Sequence, residues 1–183
     1  QNSLFLPGFS IPESIHPINS LNDTITNNNI ILLVVPTHVV RHIANELATS
    51  LKPGSLIINA SKGIENSSLC TIRQILEQAL PDTCHLATLS GPTFAFEVAR
   101  EIPSAIVAAA ETYIQADRIQ KIFSCSYLKV FTSNDPIGVE LGGALKNVIA
   151  IATGISDGLQ MGHNARAALI TRGLVEMTRI GTA

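Results

Sequence analysis

Short apolar runs of strand length alternate with stretches in which apolar residues recur every three or four positions, and this alternation constrains the fold more than any other feature. Ile30 to Val35 has the branched content and the length of a strand buried on both faces. Pro36 ends it. Val40, Ile43, Leu47 and Leu51 follow at helical spacing and are closed by Lys52-Pro53-Gly54. A second buried strand is expected over Ser55 to Ala60. The period of Leu69, Ile72, Ile75, Leu76 and Leu80 predicts a helix, and His85 to Leu89 a third strand. Ala105 to Ala109 and Leu128 to Phe131 are further strand candidates, with a helix from Tyr113 to Phe123 between them. Such alternation means right-handed strand-helix-strand units in a mostly parallel, doubly wound sheet. Ligands of these sheets lie at the carboxyl ends of the strands, which marks Pro36-Thr37-His38, Ser61-Lys62-Gly63 and Ser90 to Ala95. After Asn134-Asp135-Pro136 no strand pattern remains, and two helical stretches, Gly138 to Ile155 and Asn164 to Ile180, take over. A domain boundary is expected near Ile137, dividing residues 1–137 from 138–183.

Composition bounds what such a fold can bind. With 46% apolar and only 14% charged residues, the 183-residue chain can bury a real core and does not read as disordered. Twelve basic against 14 acidic residues leave no cationic surface for nucleic acid or an anionic membrane. An anion would have to be held locally. Cys70, Cys84 and Cys125 are odd in number and lack CxxC spacing, so neither a disulfide framework nor a thiolate zinc site is implied, and a reducing cytoplasm suits them. The run from Ile30 to Val35 is too short to span a bilayer, and no signal peptide opens the chain. The reading is of a soluble cytosolic protein. Because the chain opens at Gln1 without a methionine and stops at Ala183 inside a helical pattern, a fragment is expected.

Three segments can carry chemistry. Between Leu141 and Ser156 the only charge is Lys146, with Gly142, Gly143 and Ala150 three or four residues away on a helix. Each helical glycine costs about 1 kcal/mol against alanine, so their presence suggests that something must come close. Desolvation on such a face lowers a lysine pKa and suits the group to acid-base work; the alternative is a lysine snorkelling beside a tight helix crossing. Lys62 follows a buried strand at the expected crevice, where it can meet a phosphate or polarise a carbonyl, or decorate an ordinary left-handed turn. Ser90 to Ala95 combines a glycine, a fixed proline and a hydroxyl ahead of a helix starting near Phe96. It is either an anion site or a plain connection with Thr93 as N-cap. His38 and His42 lack a third ligand and read as a surface pair, so no metal is expected. The last helix is given Asn164 as N-cap, an apolar face of Ala167, Ile170, Leu174 and Met177, and solvated pairs from Arg166, Arg172, Glu176 and Arg179.

Taken together, Leu6-Pro7-Gly8, Val34-Val35-Pro36, Ser61 to Glu65, Leu89 to Ala95 with Glu97-Val98-Ala99, Gly138 to Ala152 and Asn164 to Leu174 resemble the bacterial NAD(P)-dependent glycerol-3-phosphate dehydrogenases over essentially the whole chain. The resemblance implies an incomplete Rossmann-type parallel sheet followed by the first helices of an all-α substrate domain. It implies NAD or NADP as cofactor, and reversible reduction of dihydroxyacetone phosphate to sn-glycerol 3-phosphate for phospholipid synthesis. Lys146 would be the catalytic proton donor and acceptor, and would also bind substrate. Lys62 would bind substrate and lie close to the cofactor, Gly91 and Thr93 would contact the glycerol phosphate, and Ala95 would lie against the cofactor. Two cations near one carbonyl would depress each other's pKa and stabilise the developing alkoxide. Asn147 either positions substrate or the lysine, or occupies the helix surface. The family's opening strand and GxGxxG loop precede residues like Gln1, and most of its helical domain follows residues like Ala183. The stretch alone is therefore expected to be inactive, with an unpaired strand edge. No nucleic acid and no membrane insertion are expected, and a homodimer is compatible. The alternatives are another β-hydroxyacid-type dehydrogenase, disfavoured by the Ser61-to-Glu65 and Ser90-to-Ala95 segments, and a truncated non-catalytic α/β interaction module.

Overall fold

The computed structural model describes Asn2 and residues 4–182. Its elements are α1 (Leu21–Thr26), β1 (Ile30–Leu33), α2 (Thr37–Ala48), β2 (Leu56–Asn59), α3 (Ile72–Ala79), β3 (His85–Ser90), α4 (Ala95–Ala99), β4 (Ser104–Ala110), α5 (Tyr113–Phe123), β5 (Leu128–Ser133), α6 (Pro136–Gly158) and α7 (Gly162–Thr182). The five strands form one sheet in the order β1-β2-β3-β4-β5. β1, β2 and β3 run parallel, as do β4 and β5, but β3 meets β4 antiparallel, Ser90 opposite Val107. The sheet is mostly parallel, as the alternation predicts, with one junction that is not a parallel crossover. The reason is local: α4 has five residues and buries none of them. Too short to ride back along the sheet, it lets the chain turn at Glu101, which sits at φ 60°, and return beside β3.

That reversal also decides which face each helix covers. A right-handed crossover that keeps moving in one lateral direction changes face when its strands change direction. Accordingly α1, α2 and α3 pack with Leu33, Ile57, Val40, Leu47, Ile72 and Ile75 on one face, whereas Ala116 and Ile119 of α5 pack with Ile58, Ala87, Ile106 and Val130 on the other. β2, covered on both faces, has all four residues buried, and each such isoleucine contributes about 1.5–3 kcal/mol. The expectation that Ile30 to Val35 is buried on both faces needs correction. β1 ends at Leu33 and lies at the sheet edge, and Leu32 and Val34 are exposed because no helix among the described residues lies over its second face.

Other boundaries move for equally local reasons. α2 stops at Ala48, leaving Leu51 outside it. α3 starts at Ile72 rather than Leu69, because Thr71 and Gln74 form a reciprocal capping box and Leu69 sits at φ 57° in the preceding loop. α6 begins at Pro136, capped by Asp135, whose Oδ1 accepts from the Gly138 N–H at 2.8 Å. α7 begins at Gly162, so Asn164 lies inside its first turn and is not its N-cap.

α6 joins α3 on the first face, Glu140 reaching the Arg73 N–H and Gly143 lying against Ser90. By length and composition α6 could cross a membrane. Its buried Glu140 and Gly143 instead seat it on the sheet. α7 crosses it where Gly173 meets Ile149, and Arg166 grips Asp157 with Nε and Nη2 at 2.8 and 2.7 Å.

Candidate active site

Because β1, β2 and β3 are parallel, their carboxyl ends share one edge of the sheet, and the three marked segments emerge there together. They are tied to one another. The Ser61 Oγ accepts from the Val35 N–H at 2.9 Å, and the Thr37 hydroxyl donates to the Lys62 carbonyl at 2.8 Å. Gly63 sits at φ 135°, a conformation that favours glycine, and a Cβ there would run into the Thr37 hydroxyl. Glu65, two residues on, receives Arg41 of α2 through Nε and Nη2 at 2.9 and 2.6 Å, and it also accepts from the Ser68 hydroxyl. Arg41 and Ser68 together hold the Glu65 carboxyl down at about 2. The loop carrying Lys62 is thus fixed from α2, β1 and β2.

Lys62 stands on the loop that leaves β2, and Lys146 on α6. Neither ammonium has a hydrogen-bond or ion-pair partner among the described residues, unlike Lys52, which caps the Thr26 carbonyl, or Lys121, which pairs with Asp117. Lys62 is exposed overall and Lys146 half-buried. Partial desolvation, and then the positive charge of Lys146, push the Lys62 pKa below the ordinary lysine value. The small residues around Lys146 divide into two kinds. A Cβ on Gly142 would meet nothing within 4 Å, which leaves the backbone open to a ligand. Gly143 is different: a Cβ there would lie 2.6 Å from the Ser90 Oγ, so its clearance serves the packing of α6 on β3 and not a ligand. Beyond Lys146, a groove of about 450 Å³ between α6 and α7 is lined by Ile149, Thr153, Ile170, Leu174 and Met177. Asn147 is exposed.

The third segment is placed but less built. Gly91 passes so close to β4 that a Cβ would lie 2.8 Å from the Ala105 carbonyl oxygen and the Ile106 Cα. Thr93 is half-buried and Ala95, the first residue of α4, is exposed. Thr93 does not cap α4: the N-cap is Phe94, which has no capping side chain. His38 and His42 are exposed, and His42 lies 3.2 Å from Glu46. No group of three His, Cys, Asp or Glu side chains gathers among the described residues.

Behind the crevice lie polar residues that hydrophobic periodicity does not single out. Glu140 is 3% exposed and Asn59 1%. The Asn59 amide donates to Glu140 Oε1 at 2.6 Å while its own oxygen accepts from the Ser61 N–H at 2.9 Å. Burial pushes the Glu140 pKa up, opposed by the Arg73 N–H, the Thr71 hydroxyl, the Asn59 amide and the Arg73 charge. The available signal was a carboxylate in the apolar opening of α6 and an asparagine closing an all-apolar strand.

Comparison with known proteins places this geometry among relatives. Residues 1–116 match the description "NAD-dependent glycerol-3-phosphate dehydrogenase N-terminus", and residues 135–183 match the corresponding C-terminus. A glycerol-3-phosphate dehydrogenase [NAD(P)+] of Geobacter metallireducens is 49% identical over 184 residues, covering 100% of this chain and 55% of that protein. Among solved structures, the glycerol-3-phosphate dehydrogenase of Coxiella burnetii superposes with TM-score 0.88 at 34% identity, over 97% of this chain and 54% of that one. The Plasmodium falciparum glycerol-3-phosphate dehydrogenase does so with TM-score 0.92 at 25% identity, over 100% and 52%. The chain spans about half the length of the curated relatives it matches.

Proposed function

The chain belongs to the NAD-dependent glycerol-3-phosphate dehydrogenase family, and from that premise we propose that the whole protein reduces dihydroxyacetone phosphate reversibly to sn-glycerol 3-phosphate with NADH or NADPH, supplying phospholipid synthesis. The observation that carries this reading is that two lysines without a partner among the described residues stand beside open backbone, Lys62 on the loop that leaves β2 and Lys146 on α6 one turn from Gly142. A bound nicotinamide would supply the hydride. The chain fits such a group: Gly142 leaves open backbone beside Lys146, and Ala95 is a small exposed residue at the same sheet edge.

The chain's own residues would do the rest. Lys146 holds a proton at the substrate carbonyl oxygen and releases it to that oxygen as negative charge develops, taking it back in the reverse direction. Lys62, a compact cation with three donors, stabilises the same developing charge and holds the substrate. Gly91 and Thr93 contact the glycerol phosphate. Residues 1–137 form the dinucleotide-binding part and 138–183 the start of the helical part, a division supported by the end of the strands at Ser133. Three free cysteines support a cytoplasmic location, and the chain charge of −2 supports neither nucleic acid nor an anionic membrane as partner.

The test is NADH oxidation with dihydroxyacetone phosphate by the whole protein and its Lys146→Ala variant. The expected result is turnover by the first and a loss of about 10²- to 10⁴-fold in kcat by the second while it remains folded. Retention of most of the rate would make Lys146 a packing residue. A parent indifferent to dihydroxyacetone phosphate but active on a hydroxyacid would replace the substrate assignment, and one inactive on both would favour a binding module.

A further inference from the structure

A continuous line of buried hydrogen bonds joins the two lysine-bearing segments. Glu140 lies six residues before Lys146 on α6, and Ser61 immediately precedes Lys62. Between them stands Asn59, its amide donating to Glu140 Oε1 at 2.6 Å and its oxygen accepting from the Ser61 N–H at 2.9 Å. Each end is tied again. Glu140 Oε2 accepts from the Arg73 N–H at 3.0 Å, which fastens α6 to the start of α3, and Ser61 Oγ accepts from the Val35 N–H at 2.9 Å, which fastens the loop to the end of β1. For stability alone, a buried carboxylate is a poor choice, because well-packed apolar groups of similar volume often serve as well or better. What apolar groups lack is direction. An amide accepting on one side and donating on the other, set between a backbone N–H and a carboxylate, fixes both distance and orientation.

We infer that Glu140 and Asn59 are positioning residues, whose hydrogen bonds set the helix carrying Lys146 at a defined place relative to the loop carrying Lys62. The inference takes its reaction from the dehydrogenase reading above, and its geometry from packing alone. Besides Gly143 on Ser90 and Ile149 on Gly173, α6 offers little to hold Lys146, because Val148, Ile151 and Ile155 of the following turns are exposed. The line of bonds is also polar in sequence, donor to acceptor, so it can be inverted. Asn59→Asp alone brings two carboxylates face to face. Glu140→Gln alone leaves either the Asn59 amide or the Arg73 N–H facing a donor. In Asn59→Asp/Glu140→Gln, the new carboxylate accepts from the Ser61 N–H and from the new amide, whose oxygen still accepts from the Arg73 N–H. Every group is satisfied again.

The experiment uses the whole protein with NADH and dihydroxyacetone phosphate, in wild type, both single variants and the double variant. It measures kcat and KM, thermal unfolding, and the titration of Lys62 by NMR of ¹³C-labelled lysine. Expected are single variants that stay folded but lose up to about 10²-fold in kcat, the scale of an ångström of misplacement, with a smaller change in KM. In them the Lys62 titration departs from that of the wild type, because Lys146 no longer holds its place. The double variant recovers kcat and the Lys62 titration together. Folded single variants with wild-type kcat and an unmoved Lys62, or a double variant no better than the poorer single one, overturn the inference. So does a loss confined to melting temperature. If Asn59→Asp does not fold, Glu140→Gln and the double variant decide. If the wild type shows no turnover, the dehydrogenase reading fails, and the Lys62 titration alone decides the positioning: shifted in the single variants and restored in the double supports it, unmoved overturns it.

Discussion

The centre of the sheet and the α6–α7 pair are both rich in apolar residues, yet they are held in opposite ways. In β2, Leu56, Ile57 and Ile58 are at most 1% exposed. In the 23 residues of α6, only Pro136, Glu140, Gly143 and Ser156 are buried, and in α7 only Gly173. The sheet is held by dense dispersion and hydrophobic contact spread over many side chains. The helix pair buries few whole side chains, and specific contacts tie it: Glu140 on Asn59 and Arg73, Gly143 on Ser90, Gly173 on Ile149, and Arg166 on Asp157. The two lysines therefore stand on unlike supports, Lys62 on a loop fastened to the packed sheet and Lys146 on a helix most of whose side chains remain partly or fully exposed. Truncation in one region and truncation in the other should not cost the same.

The largest effect sharpens that contrast directly. Ile58→Ala, in the interior, should cost about 2–5 kcal/mol of unfolding free energy. Ile151→Ala, on the exposed side of α6, should change this chain's stability by no more than about 0.5 kcal/mol. Denaturant unfolding of both variants checks it, and equal losses would break the distinction. Next in size is Gly91→Ala, where the added methyl meets the backbone of β4 rather than a movable side chain. A cost of about 1–3 kcal/mol is expected and, on the proposed function, a raised KM for dihydroxyacetone phosphate in the whole protein. A silent substitution would show that the Ser90-to-Ala95 segment can shift freely.

The smallest effects concern two carboxylates whose pH dependences carry opposite signs. Glu65 in the folded protein titrates at about 2, below its ordinary value of 4.5. Its contribution is therefore present above about 4.5 and is lost as pH falls towards 2. Glu140 titrates above its ordinary value. Its contribution is full below the unfolded pKa and is lost as pH rises through the folded one. Melting curves of the whole protein across pH should show Glu65→Gln flattening the acid limb and Glu140→Gln flattening the decline on the higher side. The same limb flattened by both would mean that one environment has been misjudged.

Much of this organisation was legible in residue spacing. The five strands, the Tyr113–Phe123 helix and the two closing helices follow from apolar periodicity, because burial is what periodicity records. Lys62 and Lys146 were legible as lone cations, at a strand end and on a small-residue face. The antiparallel junction was not, since it depends on α4 being too short to cover the sheet, and periodicity does not show where five helical residues will point. The exposure of β1 was hidden for a related reason: Ile30 to Val35 reads as a strand covered on both faces, and only the sheet order shows that it lies at an edge. Asn59 and Glu140 were missed because a polar residue that bonds only to other buried polar groups leaves no pattern along the chain. Their partners are 81 and 67 positions apart in sequence.

The reversal between β3 and β4 decides where Lys146 is delivered. Since β5 runs against β1, β2 and β3, it finishes level with Ala109 and Thr88 and heads towards the rear of the sheet, away from the crevice. α6 then has to travel forward across the sheet, past Asn59 at Glu140 and past Ser90 at Gly143, before it projects beyond the strand ends. At 1.5 Å per residue, the three residues from Gly143 to Lys146 are the first stretch of α6 to overhang that rim. Had all five strands pointed the same way, the chain would have emerged at the crevice and the helix would have carried its lysine off behind it. One short, uncovering helix therefore decides which end of the sheet Lys146 reaches.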